Sequence, residues 1–338
     1  MIAVSTTLDV DAHDSGRNHP ERPERLRAAM AGIADAGVNE AVLTIEPRPA
    51  THDELGRVHG IGYLDGLERI CAGGGGRLDP DTRVGSGSFH TGRLAAGAGL
   101  AVIESIEAGR ADGGLVVVRP PGHHALADRA MGFCLFNHVA VAAAALTARG
   151  ERVLIVDWDV HHGNGTQAIF WDDRRVLFVS SQLVGHWPFS GAVDETGGPL
   201  APGMTINLPL PEGSTGDVLL RAMDDLVAPA VDRLRPTWVL VSAGYDSHRL
   251  DPLGGLGFSA GDFADFTRRV RAFAPDPGKV VLFLEGGYDL DAVRMSVGAT
   301  ISALTEGTFR PERSTSGGPG LDSVRAARVA HLRATEWL

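Results

Sequence analysis

Lysine is almost missing from this 338-residue chain: of its 31 basic residues only Lys279 is a lysine, and all the others are arginine. Acidic residues outnumber basic ones, 42 to 31, for a net charge of −11, and no basic run is concentrated anywhere. A nucleic-acid partner is therefore not expected, because neutralising phosphates takes clustered cations. Cysteine is scarce too, with Cys71 and Cys134 alone and no CxxC. That excludes a disulfide framework and a cysteine-type zinc site, and it suits a reducing, cytoplasmic setting. No apolar run reaches the length of a membrane span, and the opening MIAVSTTLDVDAHDSG does not read as a signal peptide, so no membrane partner is expected. The arginine bias with abundant Ala and Gly reads as GC-rich coding, hence a bacterial source.

What the chain has in quantity is core. At 43% hydrophobic it can bury a large interior. Short β-branched and apolar runs recur at Ile2–Thr6, Val42–Ile45, Leu115–Val118, Val153–Val156, Val176–Ser180, Thr205–Leu208, Trp238–Val241 and Val280–Leu284. Continuous runs of this kind are the pattern of strands buried on both faces of a parallel sheet. Helices are expected from about Glu21, over Thr51–Gly56, through Tyr63, Leu67 and Ile70, over Ala95–Ile106, after Asn137 to Ala148, and near Gln167. Three more are expected over Asp217–Leu234, Phe258–Phe273 and Asp289–Leu304. Gly73–Gly76 lacks the GK[ST] ending of a phosphate loop and reads as plain loop. Ser181–Gly203 reads as a long loop, of a length that usually serves a function. The alternation predicts an α/β fold: a single-domain open parallel sheet with helices on both faces. Nothing before residue 306 splits it, so residues 1–305 read as one domain and 306–338 as a C-terminal extension with a short helix.

Four of the apolar runs end in polar clusters. After Val153–Val156 come Asp157, Asp159 and His161 at a spacing of two, which puts them on one side of an extended chain. Aspartates at such a turn can simply cap the next helix. With His162, however, there are four metal-competent side chains within six positions. Mixed oxygen and nitrogen donors suit a divalent metal with open positions, zinc above all. After Leu115–Val118 comes RPPGHHA with His123 and His124; after Trp238–Val241 comes SAGYDSHRLDPLGG with Asp246; after Val280–Leu284 comes EGGYD with Tyr288. Singly, a His pair, a turn Asp or a packed Tyr is ordinary. Together, at the carboxyl ends of strands where open α/β sheets bind ligands, they predict one site.

These stretches, with HPERPERL at 19–26 and MGFCLFN at 131–137, resemble the zinc-dependent histone deacetylase family. The likeness is strongest to its class II branch and to the bacterial deacetylase-like and acetylpolyamine amidohydrolase relatives, and it runs from about residue 9 to 305. It implies an arginase/deacetylase-like fold, a deacetylase catalytic domain over 1–305, and one Zn²⁺ per chain held by Asp159, His161 and Asp246. It implies that His124 is the general base and then acid, oriented by Asn164 where class I members carry Asp. His123, paired with Asp157, would be an electrostatic partner, and Tyr288 would donate a hydrogen bond to the substrate carbonyl. Phe133 and Trp187 would wall the acyl-lysine channel, with Gly132 and Gly287 also at the substrate. The backbone around Asp157, Asp159, His161 and Ser181, with the Ser180 hydroxyl, matches the family's inner K⁺ site. Among the other histidines, His52, His59, His90, His138 and His248 read as surface or capping residues, and His162 as a packed neighbour of the site. His13 and His19 read as structural residues near the rim, and Cys134 as buried packing.

The expected activity is therefore zinc-dependent removal of acetyl or other acyl groups from lysine side chains of proteins or peptides. The alternative is an acetylpolyamine or other small N-acetyl amide hydrolase. A non-enzymatic acyl-lysine or metal-binding module would need neither Tyr288 nor both His123 and His124. A binuclear, arginase-type centre would need more carboxylates around Asp246, where the motif offers only Asp251. Polyamine-selective members carry a Glu after the Asp-Pro pair, and here Asp251-Pro252 is followed by Leu253. Asp81, in LDPDTRV, falls near the position that holds substrate backbone N–H groups. Homo-oligomerisation is left open.

Overall fold

Leu154 and Val156 join one buried cluster, and Val153 and Ile155 join another. Successive side chains of a strand point to opposite faces, so a strand apolar at every position feeds two cores at once. The same split holds for Val239 and Val241 against Trp238 and Leu240, and for Leu282 and Leu284 against Val281 and Phe283. The computed structural model describes residues 1–7, 12–275 and 278–336; the start of the family likeness near residue 9 lies outside them.

The strands are β1 (Ile2–Thr6), β2 (Val42–Ile45), β3 (Gly76–Arg77), β4 (Arg83–Val84), β5 (Gly114–Val117), β6 (Val153–Asp157), β7 (Val176–Leu183), β8 (Thr205–Leu210), β9 (Trp238–Ala243) and β10 (Val280–Leu284). Eight of them form one sheet in the order β2-β1-β5-β10-β9-β6-β7-β8, paired in parallel throughout. β3 and β4 form a separate antiparallel pair. Helices Glu24–Asp35, Ala260–Arg271 and Leu290–Leu304 cover one face, with Leu26, Phe263 and Val297 among their core residues. Helices Ile61–Ala72, Ser88–Glu107 and His138–Thr147 cover the other. No helix of the described residues is long and apolar enough to cross a membrane.

Several local expectations need correction. The helix expected over Asp217–Leu234 runs as Gly216–Ala222, a π stretch Met223–Val227, and Ala228–Leu234. Pro229 has no N–H to give and its ring crowds the carbonyl one turn back, which accounts for the wider turn just before it. Gly76 opens β3 rather than sitting in a loop, and the helix expected from Ala95 already starts at Ser88. β7 continues to Leu183 because Ser181, Gln182 and Leu183 pair with Leu208, Pro209 and Leu210 of β8. The C-terminal helix, Leu321–Thr335, is 15 residues long and sends Val324 and Ala327 into the core. His59, His138 and His248 are buried rather than at the surface. Each has found a polar partner inside: His59 Nδ1 donates to the Leu126 carbonyl, His138 Nε2 to that of Pro120, and His248 Nε2 meets Glu312.

Candidate active site

β5, β10, β9 and β6 are consecutive neighbours at the centre of the sheet. These are the four strands whose ends carry the polar clusters, so their parallel pairing delivers all four clusters to one edge. Asp157, the last residue of β6, pairs with Ser242 of β9, and Leu284, the last of β10, with Ala243. The segments that follow therefore leave the sheet side by side.

Asp159, His161 and Asp246 bring one ligand atom each within 4.8 Å of one another. His161 Nδ1 lies 3.0 Å from Asp159 Oδ1 and 3.2 Å from Asp246 Oδ2. Backbone amides fix the carboxylates: Gly286 N–H donates to Asp159 Oδ2 (2.8 Å) and Val160 N–H to Asp246 Oδ1 (2.9 Å). A Cβ on Gly286 would sit 1.9 Å from Asp246 Oδ2, so only glycine lets β10's loop approach this closely. Both aspartates are fully buried. Burial and the neighbouring Asp159 push the Asp246 carboxyl up to about 7, while the carboxylates overcome burial to push His161 up to about 10. Two buried carboxylates and an imidazole this close call for a cation among them, and the donor set fits a divalent metal.

Beside this group stand the paired histidines, their ring centroids 3.9 Å apart. His123 Nδ1 meets Asp157 Oδ2 at 2.9 Å and His124 Nδ1 meets Asn164 Oδ1 at 2.8 Å. Their surroundings separate them. Burial disfavours a charge on His123, but Asp159, Asp157 and Glu285 outweigh it and hold its pKa well above the ordinary value. Burial, with His123 and His161 nearby, drives His124 well below it. One imidazole is thus held charged and the other neutral, with Nε2 of His124 left as the acceptor because its Nδ1 donates to the Asn164 carbonyl oxygen.

A cavity of about 560 Å³ opens onto these groups, lined among others by His124, His161, Phe133, Trp187, Leu253 and Tyr288. Met131 and Cys134 exchange backbone hydrogen bonds around Gly132 (φ 56°) and Phe133 (φ 69°), the two left-handed residues of a tight hairpin turn. That turn presents Phe133 to the cavity, its ring 6.0 Å from Tyr288 and 4.5 Å from His19. Gly132 lines the cavity as well, and a Cβ there would come 2.4 Å from the Trp187 ring and 2.5 Å from His124. Trp187 packs edge-on against His124 at 4.7 Å. Asp81, Arg77 and Arg83, from the β3–β4 hairpin, lie at the mouth. Burial and Asp79 raise the Asp81 carboxyl to about 6. Gly287 is not among the lining residues; its carbonyl accepts from Arg25 Nε at 2.6 Å. The Tyr288 hydroxyl has no hydrogen-bond partner among the described residues, and its backbone N–H donates to Asp251 Oδ2 (2.6 Å).

The Histone deacetylase domain model matches residues 19–304. The chain belongs to the histone deacetylase family. It is 39% identical over 276 residues to a histone deacetylase-like amidohydrolase of Pseudomonas aeruginosa, spanning 80% of this chain and 72% of that one. It is 38% identical over 336 residues to Polyamine deacetylase HDAC10 of Homo sapiens, spanning 94% of this chain but 49% of that one. Among solved structures it is similar to the HDA15 HD domain, with a TM-score of 0.90 and 35% identity over 99% of this chain and 96% of that chain. The α/β arginase/deacetylase-like architecture expected from the sequence is thereby borne out. The chain is a deacetylase of the amidohydrolase kind. The histone deacetylase family implies a metal cofactor, and Asp159, His161 and Asp246 form a group able to hold one.

Sequence reasoning missed three supports of this deacetylase site. Glu285, buried after β10, accepts from the N–H groups of Gly122 (2.6 Å) and His123 (3.1 Å), and burial raises its carboxyl to about 7. Asp251, weighed only as a metal ligand, instead accepts from the N–H groups of Leu253, Tyr288 and Asp289. Glu21, in HPERPERL, forms a buried ion pair with Arg119 at 2.7 Å, which locks the N-terminal loop to the turn before His123. The signal for Glu21 and Arg119 was their place inside the recognised motifs; for Asp251 there was none beyond the Asp-Pro turn.

Proposed function

We propose that this protein is a zinc-dependent amidohydrolase that removes acetyl groups from lysine side chains of proteins or peptides. The observation that carries this reading is the convergence of Asp159, His161 and Asp246 at a cavity shared by His124 and Tyr288. An amide is a poor electrophile and neutral water a weak nucleophile. Zn²⁺ held by Asp159, His161 and Asp246 would supply the Lewis acidity that polarises the carbonyl and acidifies water. His124, kept neutral by its surroundings, takes the proton of the attacking water on Nε2 and returns it to the leaving amine. Asn164 orients that ring without adding a charge. His123, held charged by Asp157, keeps a positive field beside the developing negative charge. Tyr288 gives its hydroxyl proton in a hydrogen bond to the same oxygen. Phe133 and Trp187 enclose the aliphatic stem of lysine and exclude water.

A bound K⁺ is part of this reading. The Ser180 hydroxyl is buried without a partner among the described residues, next to the end of β6. With Ser181 and the backbone of Asp157, Asp159 and His161, it would complete an oxygen-rich setting suited to a hard cation.

For the substrate, the cavity offers Leu253 and Pro252 at its mouth, with Arg77 and Arg83 and a single carboxylate, Asp81. Ammonium groups of a polyamine gain little there, whereas a carboxylate can hold the amide N–H groups of a peptide. Hydrolysis of acetylpolyamines is the second reading, favoured by the identity to a polyamine deacetylase. Kinetics on both substrate classes decide between them. The expected result is a higher kcat/KM on acetyl-lysine peptides than on acetylspermidine, with Leu253→Glu moving the ratio toward the polyamine. A wild-type preference for acetylspermidine of about tenfold or more, ~1.4 kcal/mol, would overturn the assignment.

A further inference from the structure

A second cavity, of about 460 Å³, lies at the opposite edge of the sheet from the deacetylase site. Arg152, just before β6, Leu177 near the start of β7, Met204 just before β8 and Leu234 ahead of β9 all line it. Two of these strands, β6 and β9, carry catalytic groups at their far ends. Another wall comes from His331 and Thr335 on the C-terminal helix, beyond the part of the chain matched by the family domain.

We propose that this cavity binds a carboxylate bearing an apolar tail. Three arginines face it, Arg152, Arg174 and Arg233, and no Asp or Glu is among its lining residues. None of the three has a carboxylate partner among the described residues. Arg152 Nε donates to the carbonyls of Leu234 and Arg235, Arg174 to that of Leu200, and Arg233 to His331 Nε2. Arg175 next door, by contrast, pairs with Asp173 at 2.7 Å. Because an arginine can only donate, His331 accepts on Nε2 and carries its proton on Nδ1, a buried N–H with no acceptor among the described residues. Guanidinium groups bind carboxylates through charge-assisted hydrogen bonds. The floor is of another kind: Leu177, Ala230 and Leu234 are buried apolar residues, and Leu200 is 64% exposed at the lip. The three guanidinium groups are exposed to solvent at the rim; a small polar anion would leave the floor unused, and a neutral hydrocarbon would cover them without giving them an acceptor. An anion with an apolar tail satisfies both, and the volume lies within the range of ordinary small-molecule sites.

Isothermal titration of the full chain with decanoate, decan-1-ol and acetate tests this. Decanoate is expected to bind at least about tenfold more tightly than either control. Arg174→Gln combined with Arg233→Gln, and separately Thr335→Trp to fill the cavity, should each weaken decanoate about tenfold while deacetylase activity stays at the wild-type level. No decanoate binding below about 1 mM would overturn the proposal. So would binding unchanged in both variants, which would place the carboxylate elsewhere, as at the catalytic centre.

Discussion

Replacing Asp251 with alanine is expected to disable Tyr288 without touching it. The Asp251 side chain is buried, only 8% exposed, and accepts three backbone N–H groups: Leu253 at 3.0 Å, Tyr288 at 2.6 Å and Asp289 at 3.0 Å. Asp289 caps the helix Leu290–Leu304, so one carboxylate pins both the rim and the segment that aims the tyrosine. Hydrogen bonds to a charged acceptor are worth about 1.5–3 kcal/mol each, and rehydration of the loop recovers part of that. The loss of stability should thus be about 2–4 kcal/mol, a strongly destabilised but folded variant. A displacement of the Tyr288 hydroxyl by about 1 Å is enough to lower kcat roughly 100-fold. Tyr288→Phe, which deletes the donor itself, should lower kcat by about two to three orders of magnitude with little change in KM. The assay is a double-mutant cycle in kcat on an acetyl-lysine peptide, with circular dichroism to verify folding. If Asp251 acts through Tyr288, the double variant is no slower than Tyr288→Phe alone. Asp251→Asn, which keeps one carbonyl acceptor, should fall between wild type and Asp251→Ala. Effects that multiply across the cycle would refute the reasoning, because Asp251 would then act independently of Tyr288.

Asn164→Asp should raise the pKa of His124 by placing a carboxylate on its Nδ1–H, 2.8 Å away in the wild type. The base works only when neutral, so the acidic limb of the kcat/KM profile should move to higher pH, and an unmoved limb would argue against His124 as the base. Mild acid should weaken the contribution of two buried histidines, while the raised carboxyls of Glu285 and Asp246 work in the opposite direction. Burial holds His59 and His138 at about 4, below their ordinary 6.5. Both depressed values favour the neutral form, so their contribution is complete above pH 6.5 and is lost as pH falls toward 4. Each accounts for ~2 kcal/mol at pH 5. Denaturant titrations of wild type and His138→Gln at pH 7 and pH 5 measure this: the variant, whose amide can still donate to the Pro120 carbonyl, should respond to the pH change by ~2 kcal/mol less unfavourably than wild type.

The fold was legible because its strands are apolar at every position, and the site because its polar residues follow those strands in the chain. Asp157, Asp159 and His161 announce themselves within one stretch. Once β5, β10, β9 and β6 are neighbours, the other clusters join them without further instruction. What escaped detection depends on contacts distant in sequence. Asp251 reaches Tyr288 across 37 positions, and Glu285 reaches Gly122 across 163. Neither has a periodic signature. His59 and His138 read as surface residues because residue type alone does not reveal a carbonyl waiting in the interior. The β3–β4 hairpin, two residues per strand, is too short for any pattern to mark. The C-terminal helix spreads its apolar residues around its circumference between Arg325, Arg328 and Arg333, so no stripe marks Val324 and Ala327 as the pair that docks it.

The proposed hydrolysis requires Asp159, His161 and Asp246 to act together as one metal site. Elemental analysis of the purified chain alongside its deacetylase activity, in wild type and in Asp246→Ala, tests this most directly. The expected result is one zinc per chain in the wild type, with metal and activity lost together in a variant that remains folded. Two metals per wild-type chain, or an Asp246→Ala variant that still hydrolyses acetyl-lysine peptides at the wild-type rate, would contradict it.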